Sequence, residues 1–196
     1  MVSGCFTGND NGDEDKLMKN QIKTSETKGQ EQADPKSGSV LERALEAHLK
    51  EHDLGRPQMF KLRARLPSQG RGSALLAATD RMWVNLKTYA EGGENTLHGH
   101  PNEDHVFIVL QGKAVFFGPE GESVIFSQNE GIMLPRGCTY YFHADESEPL
   151  VLLRVGCVYD ADKTPWGRVD RVGKPLLAVS KENQAVETIF SDEYYE

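Results

Sequence analysis

The stretch Asn95-Thr96-Leu97-His98-Gly99-His100-Pro101-Asn102-Glu103-Asp104-His105-Val106-Phe107-Ile108-Val109-Leu110-Gln111-Gly112 decides the reading of the chain. It holds three of the six histidines within eight residues, followed by an uninterrupted apolar run. Side chains alternate faces along a strand, so His98 and His100 point the same way. Pro101 to Asp104 has the composition of a tight turn, after which a second strand starts at His105 and brings its ring back against the first two. Three imidazoles converging across such a hairpin suit one divalent metal ion at about 2.1 Å per nitrogen. Imidazole is a good ligand for Zn, Cu, Fe and Ni. An HxH pair alone is weak evidence, and the third histidine on the adjoining strand makes the pattern more specific. His105, Phe107 and Val109 share the face that carries the ligands, while Val106, Ile108 and Leu110 form an equally apolar opposite face that needs a cover.

Outward from this stretch the chain reads as β structure. Phe60, Leu62, Ala64 and Leu66 alternate with polar residues from Met59 onward, as do Met82, Val84 and Leu86. Turn signals recur at Gly92-Gly93, Gln111-Gly112, Gly118 to Gly121, Asn129 to Gly131 and Pro135 to Gly137. Short apolar segments at 105–110, 113–117, 123–127, 138–143 and 150–158 lie between them. Closely spaced short strands without intervening helices indicate a sandwich or barrel. Two further short candidates lie near 175–180 and 186–190.

Residues 1–38 are polar and hold no apolar cluster, so they are expected to be disordered. An amphipathic helix is expected over 39–55, opened by Ser39 and Glu42 in a capping-box arrangement and buried through Leu41, Ala44, Leu45 and Leu49. The barrel is expected over 56–180, with a C-terminal extension at 181–196. His48 and His52, four apart on the helix, are read as solvated. The net charge of -8 and the absence of a basic patch argue against nucleic acid. Nothing approaches the roughly 20 apolar residues of a membrane-spanning helix. Three cysteines, Cys5, Cys138 and Cys157, argue against a disulfide framework and for a reducing, cytoplasmic setting. The alternative is lipid anchoring through Cys5, if the native start lies upstream.

Gly92-x5-His98-x-His100-x4-His105-x6-Gly112 resembles the first cupin motif, G-x5-H-x-H-x3,4-E-x6-G. Gly131, Pro135 and Gly137 resemble the second, G-x5-P-x-G-x2-H-x3-N. His105 stands where the family has glutamate, and it keeps the spacing to Gly112. Asp104 is the carboxylate at the shorter spacing. In the second motif Gly131 to Pro135 is two residues short, Tyr140 holds the histidine position and Ala144 the asparagine position. His143 falls on the opposite strand face from Tyr140.

The resemblance implies an all-β cupin barrel, a double-stranded β-helix or jelly roll, with one N-terminal helix and a disordered tail. It implies one divalent transition metal held by His98, His100 and His105. Fe(II) is favoured, with Ni, Mn, Cu or Zn as alternatives. Tyr140 is a fourth ligand, a proton donor or a wall residue. Phe107, Val109, Cys138 and Phe142 are expected to line a substrate pocket, and Trp166 to close its mouth or anchor a loop. The functions implied are a dioxygenase-type oxidoreductase acting on a small anionic organic substrate, a metal-dependent isomerase or lyase using the ion as Lewis acid, or a small-molecule binding protein without turnover. A homodimer is expected to cover the outer face of 105–110, the N-terminal helix being the alternative cover.

Overall fold

A computed structural model describes residues 40–90, 95–145, 148–160, 167–177 and 186–196, with the side chains of 40–43 outside the description. The polar tail, Cys5, Gly92 and Trp166 therefore lie outside the described residues.

The strands form where the alternation and the turn residues put them. After helix α1 (Val40–Glu51) come β1 (Ala64–Gln69), β2 (Arg71–Ala78), β3 (Met82–Tyr89) and the two-residue β4 (His98–Gly99). β5 (Glu103–Gln111), β6 (Ala114–Phe117), β7 (Ser123–Phe126), β8 (Gly131–Leu134), β9 (Thr139–Ala144), β10 (Leu150–Val158) and β11 (Ile189–Tyr195) complete the order. Gly112 reverses the chain between β5 and β6 at φ 76°, a left-handed conformation that glycine adopts without a steric cost.

Two antiparallel sheets face each other, one ordered β2-β3-β10-β5-β8 and the other β4-β9-β6-β7. Their inner faces meet in one core: Tyr89, Phe107, Val109, Leu134, Leu150 and Leu152 from the first, Ala114, Phe116, Tyr140 and Phe142 from the second. This is the jelly-roll barrel that the sequence pattern predicts.

Part of the outer face of the first sheet is covered by the chain itself. β1 and β11 pair into a two-stranded sheet that packs Ala64, Leu66 and Tyr195 over Leu86, Val151, Ala74, Leu76 and Leu110. One covering strand thus comes from within 181–196, the stretch read as an extension. β1 itself begins at Ala64 rather than near Met59, because β11 reaches only as far as Tyr195 opposite Ala64 and offers no partner to 59–63. β2 was invisible in the sequence pattern, since Gly72, Ser73 and its alanines blur the alternation. The 175–180 segment supplies only an isolated bridge, Val169 to Pro175, among its described residues.

Helix α1 does not cover 105–110. Leu45 and Leu49 pack on Ala78, Trp83, Val158 and Leu75 at one end of the barrel. Gln58 ties this end together: its amide bonds both backbone groups of Ala78, and its carbonyl oxygen meets His48 Nε2 at 2.7 Å. His48 is thus partly engaged with Gln58 rather than simply solvated. No helix among the described residues is long and apolar enough to cross a membrane.

Candidate metal centre

Four polar side chains enter the barrel at the end sealed by α1. β4 pairs with β9 so that His98 lies directly opposite Tyr140, with ring centroids 4.8 Å apart. His100 follows one residue beyond β4, its ring 5.1 Å from His98 and 4.4 Å from His105. β5 contributes His105 and, two residues earlier on the same face, Glu103. All four are buried, none more than 4% exposed. The strand starts at Glu103, two residues before the expected start, and that shift turns Glu103 from a turn residue into an inward carboxylate.

Potential ligand atoms of His100, Glu103 and His105 all lie within 4.8 Å of one another. His98 stands outside that set, beside His100. Asp104 points away from the barrel, where it accepts hydrogen bonds from the Arg136 backbone N at 2.8 Å and Nη1 at 3.3 Å. His143 is exposed on the outer face between the Phe117 and Tyr141 rings, as its offset from Tyr140 requires.

Glu103 Oε2 is a hub. Arg154 Nη2 donates to it at 2.9 Å, His105 Nε2 is in close contact with it, and His100 Nδ1 lies 3.2 Å away without hydrogen-bond alignment. The same Arg154 Nη2 lies 2.9 Å from His105 Nε2. Arg154 is the lone charged residue in the apolar strand β10, and it is 4% exposed. A buried arginine in a strand reading Leu-Val-Leu-Leu-Arg-Val-Gly needs a buried partner of opposite charge, a signal that β10 carries without naming that partner. The sequence pattern hid Glu103 because it reads as part of a Pro-Asn-Glu-Asp turn.

Burial, above all, holds the three imidazoles well below the usual histidine range. Positive charge adds to this: Arg168 next for His98, His105 and then Arg154 for His100, and Arg154 for His105. Each ring is therefore neutral at pH 7 and keeps a lone pair. His98 Nδ1 donates to the Thr96 carbonyl at 2.7 Å, which leaves the lone pair on Nε2. That Nε2 and His100 Nε2 are both buried without a hydrogen-bond partner. A backbone carbonyl on one imidazole nitrogen and an unmet lone pair on the other is the arrangement metal-ligating histidines use. The donor set fits a divalent ion, with Arg154 as its one opposing feature.

The four residues expected to line a substrate pocket lie at different depths. Phe107 sits beneath His105, ring centroids 5.8 Å apart, and interlocks with Phe116 and Phe142. Val109 and Phe142 lie within that core, each 1% exposed. Cys138 packs at its edge, and Cys157 is a free cysteine. Tyr140 is 3% exposed, and burial pushes its phenol up to about 12, so it carries its proton throughout the physiological range. Trp83 closes the sealed end: Gly156 lies between it and His105 in the sheet register, and a side chain at Gly156 would collide with the indole.

Comparison with known proteins agrees with this architecture. Residues 85–156, which contain β4 to β9 and most of β3 and β10, match the family model described as "Cupin domain". The uncharacterized protein YdbB of Bacillus subtilis (strain 168) is 31% identical over 48 residues, 24% of this chain and 42% of that protein. The chain thus spans about two fifths of the length of the curated relative it matches. A crystal structure of an uncharacterized conserved protein with a double-stranded beta-helix domain from Klebsiella pneumoniae is 16% identical, with TM-score 0.48, covering 54% of this chain and 88% of that one. KdgF from Halomonas sp. is 20% identical, with TM-score 0.42, covering 47% of this chain and 84% of that one. Residues 85–156, the stretch that carries the site histidines, are thus a match to the cupin domain, and the jelly-roll barrel around them is the fold that match implies.

Proposed function

We propose that the protein is a metal-dependent enzyme acting on a small anionic organic substrate, with oxygen-dependent oxidation as the first reaction class to test. The observation that supports it is the convergence of three neutral, buried imidazoles and one carboxylate beside a protonated phenol. Two histidines and a carboxylate with open positions form the ligand set of non-haem Fe(II) oxygenases, and His100, Glu103 and His105 supply such a set. When bound, the ion would supply Lewis acidity and, if iron, electrons for oxygen chemistry.

The chain's own residues do the rest. His98 fixes its tautomer through Thr96 and presents Nε2 toward the site. Glu103 and Arg154 neutralise each other, so a divalent ion leaves a net positive centre that attracts an anion. Trp83, backed by Leu45, keeps water from the sealed end. Tyr140 holds a proton beside His98, where it can be given to developing negative charge.

That proton also favours a second reading, a redox-neutral isomerase or lyase in which Tyr140 is the acid. Metal analysis of protein purified without added ions, followed by oxygen consumption over a substrate panel with Fe(II) and with Zn(II), separates the two. Turnover with Zn(II) and no oxygen uptake selects the second. Retention of a full metal complement in both His100→Ala and Glu103→Gln would overturn the site itself. Tyr140→Phe is expected to keep its metal and lose turnover. We also propose that the stripe of half-buried Val84, Val155 and Val106 and exposed Met133 on the outer sheet face forms a homodimer contact. Light scattering checks it: Val106→Lys should shift the population to monomer.

A further inference from the structure

Beyond the metal ligands, the barrel interior carries positive charge with too few partners. On β3, Trp83, Asn85, Lys87 and Tyr89 alternate onto the inner face, where Tyr89 joins the core and Asn85 bonds Ser73. Lys87 lies in register with Ser73 on one side and Leu152 on the other, so its side chain enters between the sheets. Arg71 is paired with Tyr89 one step along. From the other wall comes Arg168, whose neighbour Val169 bridges Gly99 between the two site histidines. The Arg168 guanidinium is within electrostatic reach of Tyr140, Arg71, Arg154 and Tyr89.

Of these cations, Arg154 is matched by Glu103, and Arg71 has a partner of its own. Lys87 and Arg168 have neither an ion pair nor a side-chain hydrogen bond among the described residues, and Arg168 Nη1 is buried and unpartnered. Both residues are nonetheless half-buried rather than sealed, so a ligand can reach them. Burying an unpaired charge is costly, and like charges crowded together add to the cost. Burial and the neighbouring arginines accordingly hold Lys87 well below the usual lysine range and Arg168 at about 10. Such strain is relieved by an oxyanion. Lys87 stands two residues along β3 from Asn85, the residue paired with Arg154, a step of roughly 7 Å.

The geometry points to an oxyanion subsite formed by Lys87 and Arg168, with Arg71 behind it, two residues along β3 from the rung of Arg154, whose guanidinium meets Glu103. It deepens the function proposed above, on which the second half of the reading rests. The substrate is a small bifunctional anion. One end reaches His98, His100 and Glu103, and the other, a carboxylate or phosphate, is held by Lys87 and Arg168.

Isothermal titration calorimetry and thermal unfolding of the full chain test this with succinate, phosphate and acetate as probes. Succinate or phosphate should bind, acetate more weakly, and whichever of the first two is tighter identifies the oxyanion. Lys87→Met and Arg168→Gln should each weaken the tighter probe at least about tenfold. In both variants metal content and circular dichroism should stay unchanged. Lys87→Met should in addition raise the melting temperature of the ligand-free protein, since an unpaired buried charge is gone, while its anion-induced shift disappears. If neither succinate nor phosphate binds, or if both variants bind them as the parent does, the subsite is overturned and the metal reading stands. If the subsite binds but Glu103→Gln and His100→Ala keep their metal, the metal reading falls and the subsite stands.

Discussion

The two ends of the barrel interior are built from the same strands and obey different physics. At the deep end, Phe107, Phe116 and Phe142 interlock with centroids 4.9 to 6.0 Å apart, and Val109, Leu150 and Leu152 fill the gaps. At the other end, two to four residues along the same strands, His98, His100, Glu103, His105 and Arg154 are as thoroughly buried but carry charge and unmatched lone pairs. The apolar end stabilises the fold; the polar end costs stability and is tolerated because the first end supplies enough. The boundary between them is a single rung: His105 and Phe107 are neighbours on one face of β5.

Three perturbations test that division. The largest effect is expected at the apolar end. Phe142→Ala removes a ring that contacts Tyr89, Phe107 and Phe116, and should cost about 3 to 5 kcal/mol of stability. Denaturant unfolding measures it, and metal content per folded molecule should not change. A comparable loss of metal at full stability would show that the two ends are not separable.

Next comes Arg154→Met, at the polar end. It strands the Glu103 carboxylate without its cation, so the metal-free protein should lose about 3 kcal/mol. A divalent ion then replaces the missing charge. The variant should regain more stability on adding metal than the parent does, because the ion no longer competes with Arg154 for Glu103 and His105. Melting curves with and without chelator read both effects, and equal metal-induced shifts in variant and parent would break the link.

The most graded effect, and the smallest per ring and pH unit, is with pH. The three site histidines have folded-state pKa values depressed below about 6.5, so the unfolded chain takes up protons before the folded one does. Their stabilising contribution is complete above about pH 6.5 and is lost as pH falls toward the folded-state values. The loss is about 1.4 kcal/mol per pH unit for each histidine that titrates only on unfolding. Melting temperature of the chelator-treated protein should fall below pH 6.5, and His98→Phe should shallow that slope. A flat profile between pH 6.5 and 5 would mean that these rings are solvated rather than sealed.

How far these features were legible in the chain depends on whether they are local. The strand alternation of β5 and β10, the turn residues around Gly112 and Gly137, and the HxH spacing are written in neighbouring residues, so the jelly roll and the histidine end were readable. Strand pairing is decided by partners far away in sequence. β1 starts at Ala64 because of Tyr195, and the outer cover of Leu110 comes from β1 and β11, neither of which the apolar run 105–110 specifies. The same holds at the site. Sequence parity alone placed His98 and His100 on one face. A two-residue earlier start of β5 decided that Glu103 points inward, and β10 alone brought Arg154 to meet it across 51 residues of chain. The sequence by itself determined the fold class and the imidazoles, because both follow from local periodicity. Only the tertiary structure decided the charge balance around them, because buried charges are matched through space, between strands that carry no record of one another.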